Sequence, residues 1–281
     1  MYSPLNATPG AHAAVLPVGV WAVLAAVLGL AVGSFLNVVI YRVPAGVSVV
    51  SPASRCGSCG TPILSRHNVP VLGWLVLRGR CHSCGAPISA RYPLVEAGTA
   101  ALFAAVAVRI VELHRAPALP AYLYFAAIGI ALAAIDLDHQ RLPDVIVLPG
   151  YLVVGALLTV ATATTHGQPW WDLARAGIGG ACLYAFYLAI AFAYPSGMGF
   201  GDVKLAGVLG GVLAYLSWAT LLVGAFGGFL LGSIGGIAVM ATGRGGRKTA
   251  IPFGPFMIAG ALLALFVANP VAHAYLKLVH H

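Results

Sequence analysis

Long apolar stretches separated by short polar segments dominate the chain. Because a helix that crosses a bilayer needs roughly 20 apolar residues, each stretch predicts a membrane-spanning helix. Apolar and polar residues do not alternate within them, as they would in the strands of a transmembrane barrel. The pattern therefore predicts an all-α polytopic membrane protein with about eight transmembrane helices, the sixth being the shortest. These helices are expected at 17–41, 93–111, 120–137, 145–163, 176–194, 203–217, 219–240 and 251–269.

Composition supports the same class. Sixty per cent of the residues are hydrophobic and only 8% are charged, whereas about a quarter are charged in a typical soluble domain. A soluble protein is thereby excluded. The formal net charge of +8 needs no nucleic-acid partner, because membrane insertion and contact with lipid headgroups account for it. We expect anionic membrane lipids and no nucleic acid among the partners.

The distribution of Lys and Arg indicates how the helices are oriented, because loops rich in these residues are retained in the cytoplasm. If the N-terminus lies outside, four of the 15 basic residues fall outside and the other eleven are cytoplasmic. An N-out, C-out arrangement is therefore expected. The four outside residues are Arg109, Arg115, Arg175 and Lys277.

One polar segment, 43–92, interrupts the apolar pattern. It is rich in Gly, Pro, Ser and Cys and contains no acidic residue. A segment of this length is too short to bury a sizeable core and usually needs a metal, a disulfide or a partner to stay folded. We predict an N-terminal segment with the first helix (1–42), a small cytoplasmic module (43–92) and a transmembrane domain (93–281).

Four cysteines can stabilise this small module. Cys56 and Cys59 form one CxxC pair, Cys81 and Cys84 form a second, and 21 residues separate the two pairs. Such a pattern is typical of a structural zinc site made of four thiolates. Two disulfides are less favoured, because the segment is expected in the reducing cytoplasm. A redox pair would need only one CxxC. We predict a structural zinc ion.

Two of the seven acidic residues stand in unusual settings. Asp136 follows an unbroken apolar stretch and is expected at the cytoplasmic end of the third predicted helix. Asp202 ends a glycine-rich turn that leads into the sixth. An ionisable side chain in such a position is costly and indicates a functional role. For Asp202, capping of its own helix is an alternative.

Two carboxylates at neighbouring helix ends can share one proton when they approach closely. One then acts as a general base on a water molecule, while the other, protonated, polarises a carbonyl group. The sequence contains neither the GxSxG elbow of serine hydrolases nor the HExxH motif of metalloproteases. The residues therefore favour Asp136 and Asp202 as the pair of an aspartyl protease.

Two further acids lie close to Asp136 in the sequence. Asp138 is nearer the loop, and a small error in the position of the helix end would exchange the roles of Asp136 and Asp138. Asp144 follows a proline and is expected to cap the N-terminus of the next helix.

Ordered motifs along nearly the whole chain resemble the type IV prepilin peptidases, which are polytopic GxGD-type aspartyl proteases that also N-methylate the trimmed pilin. The two CxxC pairs are part of this resemblance. The other motifs are GSFLNVVIYR (33–42), RGRC (78–81), RYPLVE (91–96), DLDHQRLPD (136–144), GFGD (199–202) and IPFGP (251–255).

This resemblance implies a function and a set of site residues. The family's catalytic pair falls on Asp136 and Asp202, with Asp138 as the alternative to Asp136, and its zinc ligands fall on the four cysteines. The implied reaction is removal of a basic leader from type IV prepilins or pseudopilins at the cytoplasmic face of the bacterial inner membrane. S-adenosylmethionine is implied as the donor of a methyl group to the new N-terminus.

Several alternatives stay open. Three polar residues lie beside the module, namely Asn37, Arg42 and Glu96. They could act near the methyl donor, or they could serve in helix packing and anchoring. A proton-coupled transporter could also use intramembrane aspartates, although both acids are expected near one membrane face. A third interpretation is a non-enzymatic assembly protein whose zinc module presents a docking surface.

Overall fold

The computed structural model describes residues 16–167, 169–195, 197–242 and 252–279. Within these ranges the chain has nine α-helices, two short 3-10 turns and no β-strand. Ile251, the first residue of the last predicted span, lies outside the described residues. The helices are α1 (Val18–Arg42), α2 (Leu72–Val76), α3 (Arg91–Glu112), α4 (Leu119–His139), α5 (Asp144–Thr164), α6 (Trp170–Ala193), α7 (Phe200–Leu216), α8 (Trp218–Ala241) and α9 (Gly254–Val279).

The number and kind of the long helices agree with the hydrophobic pattern. Seven of the described helices, namely all except α2 and α7, are long and apolar enough to cross a membrane. The sixth predicted span is α7, which has 17 residues. At 1.5 Å per residue it is about 25 Å long, close to the lower limit for a membrane span. The prediction of an all-α polytopic membrane protein with about eight transmembrane helices is confirmed.

The helices pack most extensively in three pairs, α1 with α3, α6 with α7, and α8 with α9. Small residues make this close packing possible, as expected between membrane helices. A Cβ atom on Gly29 would lie 2.7 Å from the Cα of Ala100, and one on Gly33 would lie 2.8 Å from the Cα of Glu96. Larger side chains at either glycine would therefore separate α1 from α3.

The two helices that carry the candidate catalytic residues, α4 and α7, lie in the centre of the bundle. Twelve residues of α7 are buried, which explains why a short helix is sufficient there. The hydroxyl of Tyr122 on α4 donates a hydrogen bond of 2.8 Å to the carbonyl of Val212 on α7. Both side chain and acceptor are buried, so this bond fixes the two central helices to each other.

A charged network holds the C-terminal end of α7. Arg175 on α6 donates hydrogen bonds to the carbonyls of Ala214, Tyr215 and Leu216. These are among the last carbonyls of α7 and have no partner within the helix. Asp172 forms ion pairs with both Arg175 and Arg115, and the carboxylate is nearly buried. The network therefore satisfies a helix end that would otherwise leave polar groups unpaired inside the bundle.

Candidate active site and metal centre

Asp136 lies in the last turn of α4, and only 5% of the residue is exposed. Its Oδ2 accepts a hydrogen bond of 3.2 Å from the backbone amide of Gly254, the first residue of α9. The positive end of the α9 dipole therefore faces this carboxylate. A Cβ atom on Gly254 would lie 2.7 Å from Oδ2 of Asp136, so a larger residue at this position would displace the carboxylate.

Asp202 is the third residue of α7, and 9% of it is exposed. Its Oδ2 accepts a hydrogen bond of 3.3 Å from the amide of Gly199, which precedes the helix. The N-cap position itself is Gly199, so Asp202 does not occupy it, but its carboxylate binds the N-cap amide from the first turn of α7. Gly201 packs against Leu142, since a Cβ atom there would lie 3.0 Å from the Cβ of Leu142. The glycine-rich turn thus brings Asp202 against the loop that follows Asp136.

Both aspartates line one cavity of about 870 Å³. Their carboxylates are close enough to interact electrostatically. The cavity opens at the end of the bundle where α1 leads into the cysteine-containing segment, because Val43 and Pro44 form part of its wall. The other lining residues are Ile135, Asp138, His139, Gln140, Arg141, Leu142, Pro143, Asp144, Gly199 and Gly201.

The other two acids of the cavity are paired with basic side chains. Asp138 lies 2.6 Å from Arg91, and its side chain is 35% exposed. Asp144 forms an ion pair of 2.7 Å with Lys204, and its side chain is 53% exposed. The prediction that Asp144 caps α5 is wrong, because the capping position is occupied by Pro143 and the carboxylate turns toward α7 instead. Asp136 and Asp138 thus differ in burial, since Asp136 is buried and the side chain of Asp138 is partly exposed.

A cluster of aromatic residues packs near Asp202 without lining the cavity. Tyr187 on α6 is almost fully buried and lies near enough to Asp202 for the two groups to interact electrostatically. Its ring stacks on Phe229, which in turn contacts Phe253, the residue before Gly254. Sequence reasoning missed Tyr187, because a tyrosine within an apolar span carries no signal that distinguishes it from other core residues.

The four predicted metal ligands, Cys56, Cys59, Cys81 and Cys84, come together in space. Their sulfur atoms all lie within 4.8 Å of one another, and none of the four is in a disulfide. The sulfurs of Cys56 and Cys84 are 3.8 Å apart. In a tetrahedral site with four sulfur atoms at about 2.3 Å from a zinc ion, the sulfur atoms would lie about as far from one another as those of Cys56 and Cys84 do. The cluster can therefore hold a metal ion, and its geometry fits zinc.

Each CxxC pair forms a tight turn of the same shape. Gly60 and Gly85 follow the pairs with φ angles of 70° and 71°, which glycine adopts without strain. Backbone amides within the turns lower the pKa of the Cys56 and Cys81 thiols. This shift favours the thiolate, which is the form that binds metal.

The segment 43–90, which we term the cysteine module, is attached to α1 and α3 by the polar residues noted in the sequence. Arg42 donates to the carbonyls of Ser48 and Pro52 in the module. Asn37 on α1 donates to the carbonyl of Tyr92 in the first turn of α3 and so joins the two helices next to the module. Glu96, buried on α3, accepts a hydrogen bond of 2.7 Å from the amide of Val71, which immediately precedes α2. These contacts give all three residues an anchoring role.

The fold and the site together define a polytopic membrane protein that carries two buried aspartates at the end of its helix bundle and a four-cysteine cluster that can hold a metal ion. Residues 27–110 match the model of the Bacterial Peptidase A24 N-terminal domain, and residues 123–240 match the model of the Type IV leader peptidase family. The chain belongs to the type IV leader peptidase family.

Curated relatives lead to the same family. The Prepilin leader peptidase/N-methyltransferase of Pseudomonas putida is 34% identical over 91% of this chain and 94% of the relative. The protein of that name from Burkholderia pseudomallei strain 1026b is 35% identical over 94% of this chain and 91% of its own length. That of Myxococcus xanthus is 40% identical over 82% of this chain and 66% of its own length. No solved structure matches the chain.

Proposed function

We propose that the chain is a membrane aspartic endopeptidase that removes the leader peptide of type IV prepilins or pseudopilins, with Asp136 and Asp202 as the catalytic pair. One observation carries the assignment of the pair. Among the acids of the cavity, these two are buried and form no ion pair with a described basic residue, whereas Asp138 and Asp144 are both paired. The family and the names of the relatives support the substrate class.

The arrangement supports a two-carboxylate hydrolysis. One aspartate takes a proton from water, and the water oxygen attacks the carbonyl carbon of the scissile bond. The other, protonated, donates a hydrogen bond to the carbonyl oxygen. The C–N bond then breaks, and the aspartate that took the proton from water delivers it to the leaving nitrogen. The amides of Gly254 and Gly199 each hold one carboxylate oxygen. Both carboxylates are thereby oriented before substrate arrives.

We place the catalytic cavity and the cysteine module at the cytoplasmic face of the bacterial inner membrane. The excess of basic residues on that side supports this orientation. A substrate helix that enters the bilayer from the cytoplasm would present its cleavage site at the boundary where α4 ends and α7 begins. The module contains no acidic residue, so anionic lipid headgroups are the expected surface beside it.

Zinc is the metal that we propose for the four-cysteine cluster, in a structural role. Four thiolates fill a tetrahedral coordination sphere and leave no position for a reacting water. We also propose that the new N-terminus is methylated, with S-adenosylmethionine as the donor. The names of the relatives support this second activity, and no residue of the chain is assigned to it.

A proton-coupled transporter receives no support from the comparisons. The structure gives a further argument, because Asp136 and Asp202 line the same cavity at one end of the bundle. A proton pathway would require ionisable groups that connect this end with the opposite one.

Asparagine substitutions test the proposed pair, because the amide keeps the shape of aspartate but cannot exchange the proton. We expect D136N and D202N each to abolish cleavage of a purified prepilin in nanodiscs. Zinc content and melting temperature should stay at the wild-type values. D138N should retain measurable cleavage. Normal cleavage by D136N or D202N would contradict the assignment.

A further inference from the structure

A single arginine connects the cysteine module to the helix turn that carries Asp136. Arg91 is the first residue of α3 and directly follows the module. Its guanidinium Nη2 lies 2.6 Å from Oδ2 of Asp138 and 3.4 Å from the carbonyl oxygen of Ala134. Arg91 therefore contacts α4 at two points on either side of Asp136 in the sequence.

The geometry of a helix places these contacts on a different side of the last turn of α4 from the Asp136 side chain. Ala134 and Asp138 are four residues apart, so they lie on the same face, one turn from each other. Asp136 is two residues from each of them and projects about 200° around the helix axis. Arg91 therefore contacts one side of the turn, where Asp138 also lines the cavity, while the carboxylate of Asp136 on the other side accepts a hydrogen bond from the amide of Gly254.

This turn needs external support because it is the last one of α4. Helix ends leave carbonyl groups without partners inside the helix and fray easily. The helix stops at His139, and Gln140 takes a left-handed conformation with φ of 51°. On the cavity side, the only described backbone amide bonded to the Asp136 carboxylate is that of Gly254. A rotation of the turn would move this carboxylate relative to Asp202.

The cysteine module in turn holds the backbone at Arg91 in place. Ile88 donates its amide to the carbonyl of Gly79, two residues before Cys81, and accepts a hydrogen bond from the indole of Trp74. Ser89 then accepts a hydrogen bond from the amide of Arg91. A continuous chain of contacts therefore runs from the second CxxC turn through Arg91 to α4.

We propose that Arg91 is a positioning residue through which the folded cysteine module orients the Asp136 carboxylate for hydrolysis. This inference rests on the proposed catalytic role of Asp136. The side chains of Arg91 and Asp138 are 47% and 35% exposed, and ion pairs that are this exposed add little to folding stability. Loss of the pair should therefore lower turnover much more than it lowers stability.

A double-mutant cycle in nanodiscs tests the coupling. We expect R91A and D138N each to lower kcat for prepilin cleavage by about ten- to a hundredfold, with KM nearly unchanged, because small misplacements of a catalytic group are costly. R91A/D138N should be no slower than the slower single variant, since both changes remove the same interaction. R91K should recover part of kcat, because lysine can reach Asp138 but does not offer the paired donors of arginine.

Further variants separate positioning from folding. Arg66 is an exposed basic residue of the same module and forms no ion pair within the described residues, so R66A should leave kcat unchanged. The variants at Arg91, Asp138 and Arg66 should keep the zinc content and melting temperature of the wild type. C81S, which removes a metal ligand, should lower kcat in the wild-type background and much less in the R91A background.

The outcomes distinguish this inference from the proposed function. Wild-type kcat in R91A, or additive effects of R91A and D138N, would overturn the positioning role while leaving the catalytic pair intact if D136N is inactive. Activity in D136N would overturn the proposed function itself. A change in KM alone for R91A would assign Arg91 to substrate binding and would also overturn the inference.

Discussion

At the scale of single residues, the site depends on a glycine that approaches a carboxylate. Gly254 donates its amide to Asp136, and the contact joins residues 118 positions apart in the chain. An amide contact of this kind cannot be read from a sequence, since it exists only when α9 packs beside α4. The family motif at 251–255 drew attention to this segment without indicating what it binds.

Replacement of Gly254 by alanine tests this contact. The added Cβ would lie 2.7 Å from Oδ2 of Asp136, so the carboxylate must shift. We expect cleavage to fall by about a hundredfold, measured as kcat/KM on a prepilin. A Cβ atom added to Gly177 on α6 would meet no other atom within 4 Å, so G177A should cleave normally and serves as the control. Equal activity in the two variants would show that the Gly254 contact has no role in catalysis.

The acids near Asp136 show which site residues could be predicted from the sequence and which could not. Apolar context and motif order singled out Asp136 and Asp202, and the structure brings both to one cavity. The choice between Asp136 and Asp138 depended on where α4 ends and which side of its last turn faces inward. Asp144 was misassigned because its partner, Lys204, lies 60 positions away on α7.

At the scale of secondary-structure elements, α7 shows both the strength and the limit of the hydrophobic pattern. The pattern predicted a short span at 203–217, and the helix runs over Phe200–Leu216. The helix begins inside the glycine-rich turn, where the Asp202 carboxylate accepts a hydrogen bond from the amide of the N-cap residue, Gly199. The last helix differs more from its prediction. It continues past Pro270 to Val279, whereas the predicted span ended at 269.

The C-terminal end of α7 leads to a prediction about stability. Arg175 donates to three terminal carbonyls and pairs with the nearly buried Asp172. We expect R175A to lower the free energy of unfolding by about 3 kcal/mol, because it leaves a buried carboxylate with one partner fewer and exposes unpaired carbonyls. Thermal unfolding in detergent micelles measures the loss. The exposed Lys277 gives a control, and K277A should melt at the wild-type temperature.

At the scale of the whole molecule, the cysteine module and the helix bundle meet at one end. The local pattern of the cysteines was sufficient to predict the four-cysteine cluster, because each CxxC turn forms within a few residues. The attachment of the module could not be predicted in the same way. It depends on Glu96, Arg42 and Arg91, whose partners are set by how the chain returns from α1 to α3.

Loss of one cysteine should release the module without unfolding the bundle. We expect C84S to contain much less than the one zinc ion per chain of a four-thiolate site, as measured by mass spectrometry of the metal. Trypsin should then cut at exposed arginines of the module, such as Arg55 and Arg66, faster than in the wild type. C182S, which changes a cysteine outside the cluster, should behave as the wild type does. Full zinc content in C84S would contradict the four-ligand site.

The contact between Gly254 and Asp136 also has a consequence for biosynthesis. Asp136 and Asp202 are both synthesised before α9, but the amide that orients Asp136 belongs to the first residue of α9. While α9 is still in the ribosome, the inserted chain holds both acids and lacks the contact that aligns them. If Asp136 and Asp202 are the catalytic pair, we expect cleavage to begin only after α9 has packed beside α4, late in the synthesis of the chain.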